Sequence, residues 1–228
     1  MLPGRGLTES QRNALKAIRA AVGGIAVGTP MRKFIPLEGA NKMTQPFGSA
    51  GRWNPQVRGF VTKADDTAGV PGRPLNRGSN SVPGVNDAMA LDYQDSPFSG
   101  GYAVIDFDAT VEIAGAARVP KSASFYDGGN DRYIPDDEPT LASMIVPFKE
   151  KPNAYPYTGN GFLASRDGTL RPEFHLQPDN PNGSNAFDLP AGAVISKYDA
   201  NGNLLERRRL TRGIDNDGEA FDEWVVIP

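Results

Sequence analysis

Val194-Ile195-Ser196-Lys197-Tyr198 is followed by Asp199-Ala200-Asn201-Gly202 and then by the run from Leu204 to Leu210. Two β-prone stretches flank an Asn-Gly pair, whose residues tolerate the positive φ angles of a tight connection. The spacing predicts an antiparallel hairpin. Farther along, Asp222-Glu223-Trp224-Val225-Val226-Ile227-Pro228 reads as a short β-branched strand that stops at a proline. Such a strand can be buried while an acidic residue at its mouth faces a cleft. The same residues also suit a final edge strand with a solvated Asp-Glu pair.

Toward the N-terminus, Tyr102 to Phe107 alternates cleanly. Tyr102, Val104 and Asp106 share one face, and Ala103, Ile105 and Phe107 the other. Val57 to Lys63 is another strand, entered by Gly51-Arg52-Trp53-Asn54-Pro55, and Met31 to Ile35 is a third, ending at Pro36. Val111 to Val119 reads as a strand broken by Gly115. Thr8-Glu9-Ser10-Gln11 forms a capping box, and Leu15, Ile18 and Val22 follow at helical spacing until Gly23-Gly24. Residues 64–86 are a loop too long for a plain connector. Asn86 or Asp87 caps a short helix from Ala88 to Tyr93. An acidic loop at 126–140 and an apolar run from Leu141 to Phe148 follow. Arg207-Arg208-Arg209 reads as a solvated strand that resists aggregation. Neither a repeat nor a composition break appears, which predicts a single domain over 1–228, with a helical lead-in at 1–25 and a β-rich core at 30–228.

Composition narrows the chemistry. The chain has 228 residues, 39% hydrophobic and 22% charged, enough for a real core. A net charge of −3 argues against a broad nucleic-acid footprint. With no cysteine and a single histidine, His175, there is no thiolate nucleophile, His-rich metal centre or zinc deaminase site. The expectation is therefore no metal. No apolar run is long enough to insert into a membrane, and the first residues lack a signal-peptide pattern.

Cleaving the glycosidic bond of NAD needs little hardware. An anion stabilises the positive charge that develops on the ribose, a cation holds the pyrophosphate and an aromatic wall holds the nicotinamide. Asp222 to Pro228 resembles the terminal catalytic strand of NAD-using ADP-ribosyltransferase toxins of the diphtheria toxin and exotoxin A group, in which a glutamate precedes a Val-Val-Ile-Pro-like run. Arg58-Gly59-Phe60-Val61-Thr62-Lys63-Ala64-Asp65 is similar to the family's second conserved strand, and Ala88-Met89-Ala90-Leu91-Asp92-Tyr93-Gln94-Asp95 to the helix after it. The resemblance covers about 30–110 and 215–228, by short motifs. It implies an α+β fold with a split antiparallel β-sheet core, short helices and long loops. It also implies that Glu223 hydrogen-bonds the nicotinamide ribose, Tyr93 stacks on the ring, and Gly59, Phe60 and Thr62 line its pocket. No histidine precedes position 175, so the first-strand basic residue would be Arg32. Val61-Thr62-Lys63 stands where the arginine branch has Ser-Thr-Ser. Gly51-Arg52-Trp53-Asn54-Pro55 is also similar to a motif of RES-type NAD-degrading toxins, which makes Arg52 a rival for the pyrophosphate.

The implied function is an effector domain, of Rhs-type or contact-dependent toxins, that transfers ADP-ribose from NAD to a macromolecular acceptor, protein or RNA. It would be secreted or injected into the target-cell cytoplasm and be blocked by a cognate immunity protein. NAD hydrolysis, with water as acceptor, and a non-enzymatic β-rich binding module are the alternatives. Glu173 is a second candidate carboxylate. Each site has a structural reading as well. Arg32 beside Lys33 suits a solvated charge, Arg52 a contact to Trp53 or a nearby carbonyl, Tyr93 a core position, and His175 a satisfied strand residue.

Overall fold

Alternation along β3 (Tyr102–Asp108) sets the centre of the molecule. Ala103, Ile105 and Phe107 join Met31, Val61, Ile195, Leu210 and Trp224 in one core cluster. Tyr102 and Val104 point the other way and join Phe34, Val70, Leu75, Val85 and Phe98 in a second. Both faces of β3 are therefore covered. The structure, a computed structural model, describes residues 17, 21–77, 83–89, 91, 96–119, 162–165, 169–176, 186–214 and 217–228.

Around β3 stand β1 (Pro30–Pro36), β2 (Gln56–Lys63), β4 (Ala117–Arg118), β7 (Phe174–Leu176), β8 (Ala186–Asp188), β9 (Val194–Tyr198), β10 (Leu204–Ile214) and β11 (Ala220–Val226). They form an open antiparallel sheet in the order β11-β10-β9-β3-β1-β2-β7-β4, with β8 also paired to β2. Two further strands, β5 (Phe162–Ala164) and β6 (Leu170–Pro172), make a separate hairpin. Helices among the described residues are short: α1 (Leu37–Met43), α2 (Val85–Ala88) and α3 (Val111–Ala116), with a 3₁₀ turn at Asp65–Thr67. The fold is α+β and dominated by its sheet.

The expected hairpin forms, with Tyr198 paired to Leu204. Asp199 organises its turn by accepting from the amides of Asn201 and Asn203, both at 2.8 Å, and Gly202 takes a φ of 86°. At the N-terminal end, Ala17, Ala21 and Val22 are helical and Gly23 has a φ of 67°; the other residues of the expected lead-in helix lie outside the described residues. So do the acidic loop, the apolar run from Leu141 to Phe148, and Tyr93.

Several elements differ from the expectation. Val111–Ala116 is helical, because the Thr110 hydroxyl accepts from the Ile113 amide at 3.2 Å and caps the first turn. Only Ala117–Arg118 is strand there. Helix α2 starts at Val85, so Asn86 and Asp87 lie inside it, and Asp87 reaches back to the Gly84 amide at 3.1 Å. No sequence signal was read for α1. Gly39 is needed in it because a Cβ there would lie 2.9 Å from the Trp53 ring.

Strand β11 starts at Ala220, so Asp222 and Glu223 sit within it rather than at its mouth. It is the outermost strand, with Trp224 buried and Val225 and Val226 exposed, and not a buried one. Arg208 turns inward instead of facing solvent. Its guanidinium meets Glu206 at 2.6 Å and the Thr44 carbonyl at 3.1 Å, while buried Lys197 meets Glu206 at 2.9 Å.

Candidate functional site

Strands β1 and β2 pair at Met31 with Lys63 and at Arg32 with Thr62, and then part. Gly59, at a φ of 71°, lies on β2 just beyond the parting. Lys33 fills the space, its Nζ donating to the Phe60 carbonyl at 2.6 Å. On its far side β2 pairs Gly59 with Leu176, Phe60 with His175 and Val61 with Phe174. Glu173 immediately precedes β7, next to the Val61–Phe174 pair. Phe174 and Leu176 enter the core, so by alternation Glu173 and His175 take the opposite face. There the His175 ring meets Phe60 edge-on at 4.8 Å.

Asp106, Arg32 and Thr62 thus follow one another across β3, β1 and β2, and Glu173 immediately precedes β7 on the far side of β2. Arg32 is strongly engaged. Its Nε donates to Asp106 at 2.7 Å, and a terminal nitrogen donates to the carbonyls of Thr67 at 2.9 Å and Ala64 at 3.3 Å. The hydroxyls of Thr62 and Thr67 are 3.4 Å apart. Arg32 and Asp106 line an open hollow of about 340 Å³, together with Asp108, Pro190, Gly192 and Val194.

Glu173 differs in kind. It is 7% exposed, yet among the described residues nothing hydrogen-bonds its carboxylate. Burial pushes its pKa up to about 7, opposed by the charge of Lys33. Burial likewise lowers Lys33 to about 8, with Glu173 opposing the shift and Arg58 adding to it. His175 is lowered by burial and then by Lys33. Burying a carboxylate is costly, so such groups concentrate where chemistry uses them.

The residues singled out in the sequence fall into two groups. Arg32, Gly59, Phe60 and Thr62 lie on the neighbouring strands β1 and β2, and Glu173 immediately precedes β7 on the far side of β2. Glu223 lies on β11, four strands from Arg32, which is roughly 19 Å at about 4.8 Å per strand. It is half-buried, and its backbone carbonyl accepts from the Thr211 hydroxyl at 3.1 Å. Arg52 joins that second group, donating to the Asp222 carbonyl with its guanidinium 5.5 Å over the Phe47 ring. Lys33, Asp106 and Thr67 were not anticipated as members of the site. Asp106 had a readable face on β3, but its pairing with Arg32 of β1 was not readable.

No known protein family, curated protein sequence or solved structure matches this chain. Among the described residues, no helix is long and apolar enough to cross a membrane.

Proposed function

We propose that this chain is the catalytic domain of a toxin-type ADP-ribosyltransferase, which cleaves NAD and passes ADP-ribose to a macromolecular acceptor. The observation that carries the reading is Glu173: a carboxylate only 7% exposed, immediately before the strand whose His175 meets Phe60 of β2 ring to ring. In this reading Arg32 turns from Asp106 to the pyrophosphate, and Phe60 with His175 walls the nicotinamide. The bond from ribose C1′ to the nicotinamide nitrogen breaks, and nicotinamide leaves with the bonding pair. Glu173 stabilises the developing positive charge, then takes the proton of the acceptor group that bonds to C1′. The proposal passes the carboxylate role from Glu223 to Glu173, because Glu173 borders β7, two strands from Arg32, whereas Glu223 lies four strands away. The split transferase-like sheet, delivery as a secreted or injected effector and a cognate immunity protein belong to the same proposal.

The test uses the purified chain, NAD labelled in its adenylate half, and cell lysate. Label on a macromolecule with equimolar nicotinamide is expected. Glu173→Gln should lower the rate about 100-fold or more, and Glu223→Gln should remain active. Free ADP-ribose without labelled acceptor would replace transfer by hydrolysis. Undiminished activity in Glu173→Gln, or intact NAD with the native chain, would overturn the proposal.

A further inference from the structure

Arg32 holds an anion in the structure itself: the carboxylate of Asp106, its partner in the register of β1 and β3. Nε donates to that carboxylate at 2.7 Å, and one terminal nitrogen is fixed on the carbonyls of Thr67 at 2.9 Å and Ala64 at 3.3 Å. The second terminal nitrogen bonds to nothing among the described residues. Access differs within the pair, the Arg32 side chain being 12% exposed and that of Asp106 38%. Both line the open hollow of about 340 Å³ that β1 and β3 share with residues 190–194. The neighbouring cations are turned elsewhere, Lys33 to the Phe60 carbonyl and Lys63 to the Val22 carbonyl at 3.3 Å. Asp108, opposite Pro30, lines the same hollow without pairing with Arg32.

We infer that Asp106 is a resident competitor for Arg32: its carboxylate occupies the guanidinium until the phosphates of a ligand entering the hollow replace it. The inference rests on the proposed function for the identity of that ligand as NAD, and deepens it by naming what the pyrophosphate displaces. Water reaches the pair, so exchanging one oxyanion for another at Arg32 involves little new desolvation. The free terminal nitrogen gives the incoming anion a first contact, and charge-assisted bonds to a guanidinium suit carboxylate and phosphate alike. A carboxylate standing beside the incoming anion also repels it, by an amount that grows with the ligand's charge. Asparagine at 106 would keep an acceptor for Nε and remove the charge. Asp108→Asn removes the same charge from the same hollow and leaves the Arg32 contact intact.

The experiment measures binding of inorganic pyrophosphate by calorimetry, at constant ionic strength, to the native chain, Asp106→Asn and Asp108→Asn. Asp106→Asn should tighten binding about five-fold or more and lower the KM for NAD, and Asp108→Asn should gain clearly less. Unchanged or weaker binding in Asp106→Asn would overturn the inference, because the carboxylate would then align Arg32 for the ligand instead of competing with it. Equal gains in the two variants would overturn it too, reducing the effect to net charge. If Asp106→Asn does not fold, the Arg32 Nε–H resonance, assigned with Arg32→Lys, is followed in the native chain as pyrophosphate is added. It should shift as the Asp106 bond is replaced, and an unmoved resonance would overturn the inference equally. Tighter pyrophosphate binding by Asp106→Asn, in a chain that leaves NAD intact, would remove the proposed reaction and leave the competition for Arg32 standing.

Discussion

Glu173 destabilises the fold it belongs to, and the sign of the effect can be worked out. Its folded pKa, about 7, lies above the ordinary carboxylate value of 4.5, so the folded state holds the proton more tightly than the unfolded chain. Between pH 4.5 and 7 the unfolded state loses its proton first, and stability falls as pH rises. Lys33 runs the opposite way. Its folded value is about 8 against 10.5, so stability recovers as pH climbs through that window. The pair therefore contributes least to stability between about pH 7 and 8. Glu173→Gln should raise the unfolding free energy near pH 7.5 by about 1–3 kcal/mol and flatten the acid-side slope, as measured by urea unfolding across pH. A less stable Glu173→Gln chain would mean that the carboxylate is held by bonds and has no functional strain. The sequence could offer Glu173 only as a rival carboxylate. Its neighbours arrive through the pairing of β2 with a strand far along the chain, and no local pattern encodes that register.

At the level of elements, legibility followed the strength of the local signal. Strands β1, β2, β3, β9 and β10 could be read because alternation, prolines and Asn-Gly mark them. Helix α3 was obscured because Val111 and Ile113 alternate like a strand; Thr110, the capping residue, was the signal to weigh. Helix α1 follows directly on Pro36, which reads as an ending, although the Glu38–Lys42 spacing suits a helix. The β9–β10 turn is also a docking point. Leu75 donates its amide to Ala200 at 2.9 Å, and a Cβ on Gly202 would lie 2.4 Å from the Gly72 carbonyl oxygen. Gly202→Ala therefore meets both an unfavourable φ and fixed backbone. It should cost about 2 kcal/mol or more. Gly192 has a similar φ of 93°, but nothing lies near its would-be Cβ, so Gly192→Ala should cost clearly less. Equal losses in thermal unfolding would show that the contact with residues 72–73 contributes nothing.

Across the whole molecule, β3 joins segments far apart in sequence, pairing with β1 on one side and β9 on the other. Such a non-local sheet is expected to open from its margins, because its centre is bonded on both edges and covered on both faces. Hydrogen exchange should be slowest at Phe34, Val104, Ile105 and Ile195, and faster at Val225 and Val226 on the outer strand. The proposed site runs from that protected centre, at Arg32, to β7, which is only three residues long. Its carboxylate end thus stands on an element with little stability of its own, where a bound ligand has the most order to add. With NAD present, protection should rise at Phe60, Thr62 and His175 and stay unchanged along β11. A rise confined to β11 would return the carboxylate role to Glu223, with Arg52 beside it. Protection unchanged at both ends, under NAD concentrations that saturate any measured turnover, would leave neither group as the binding site.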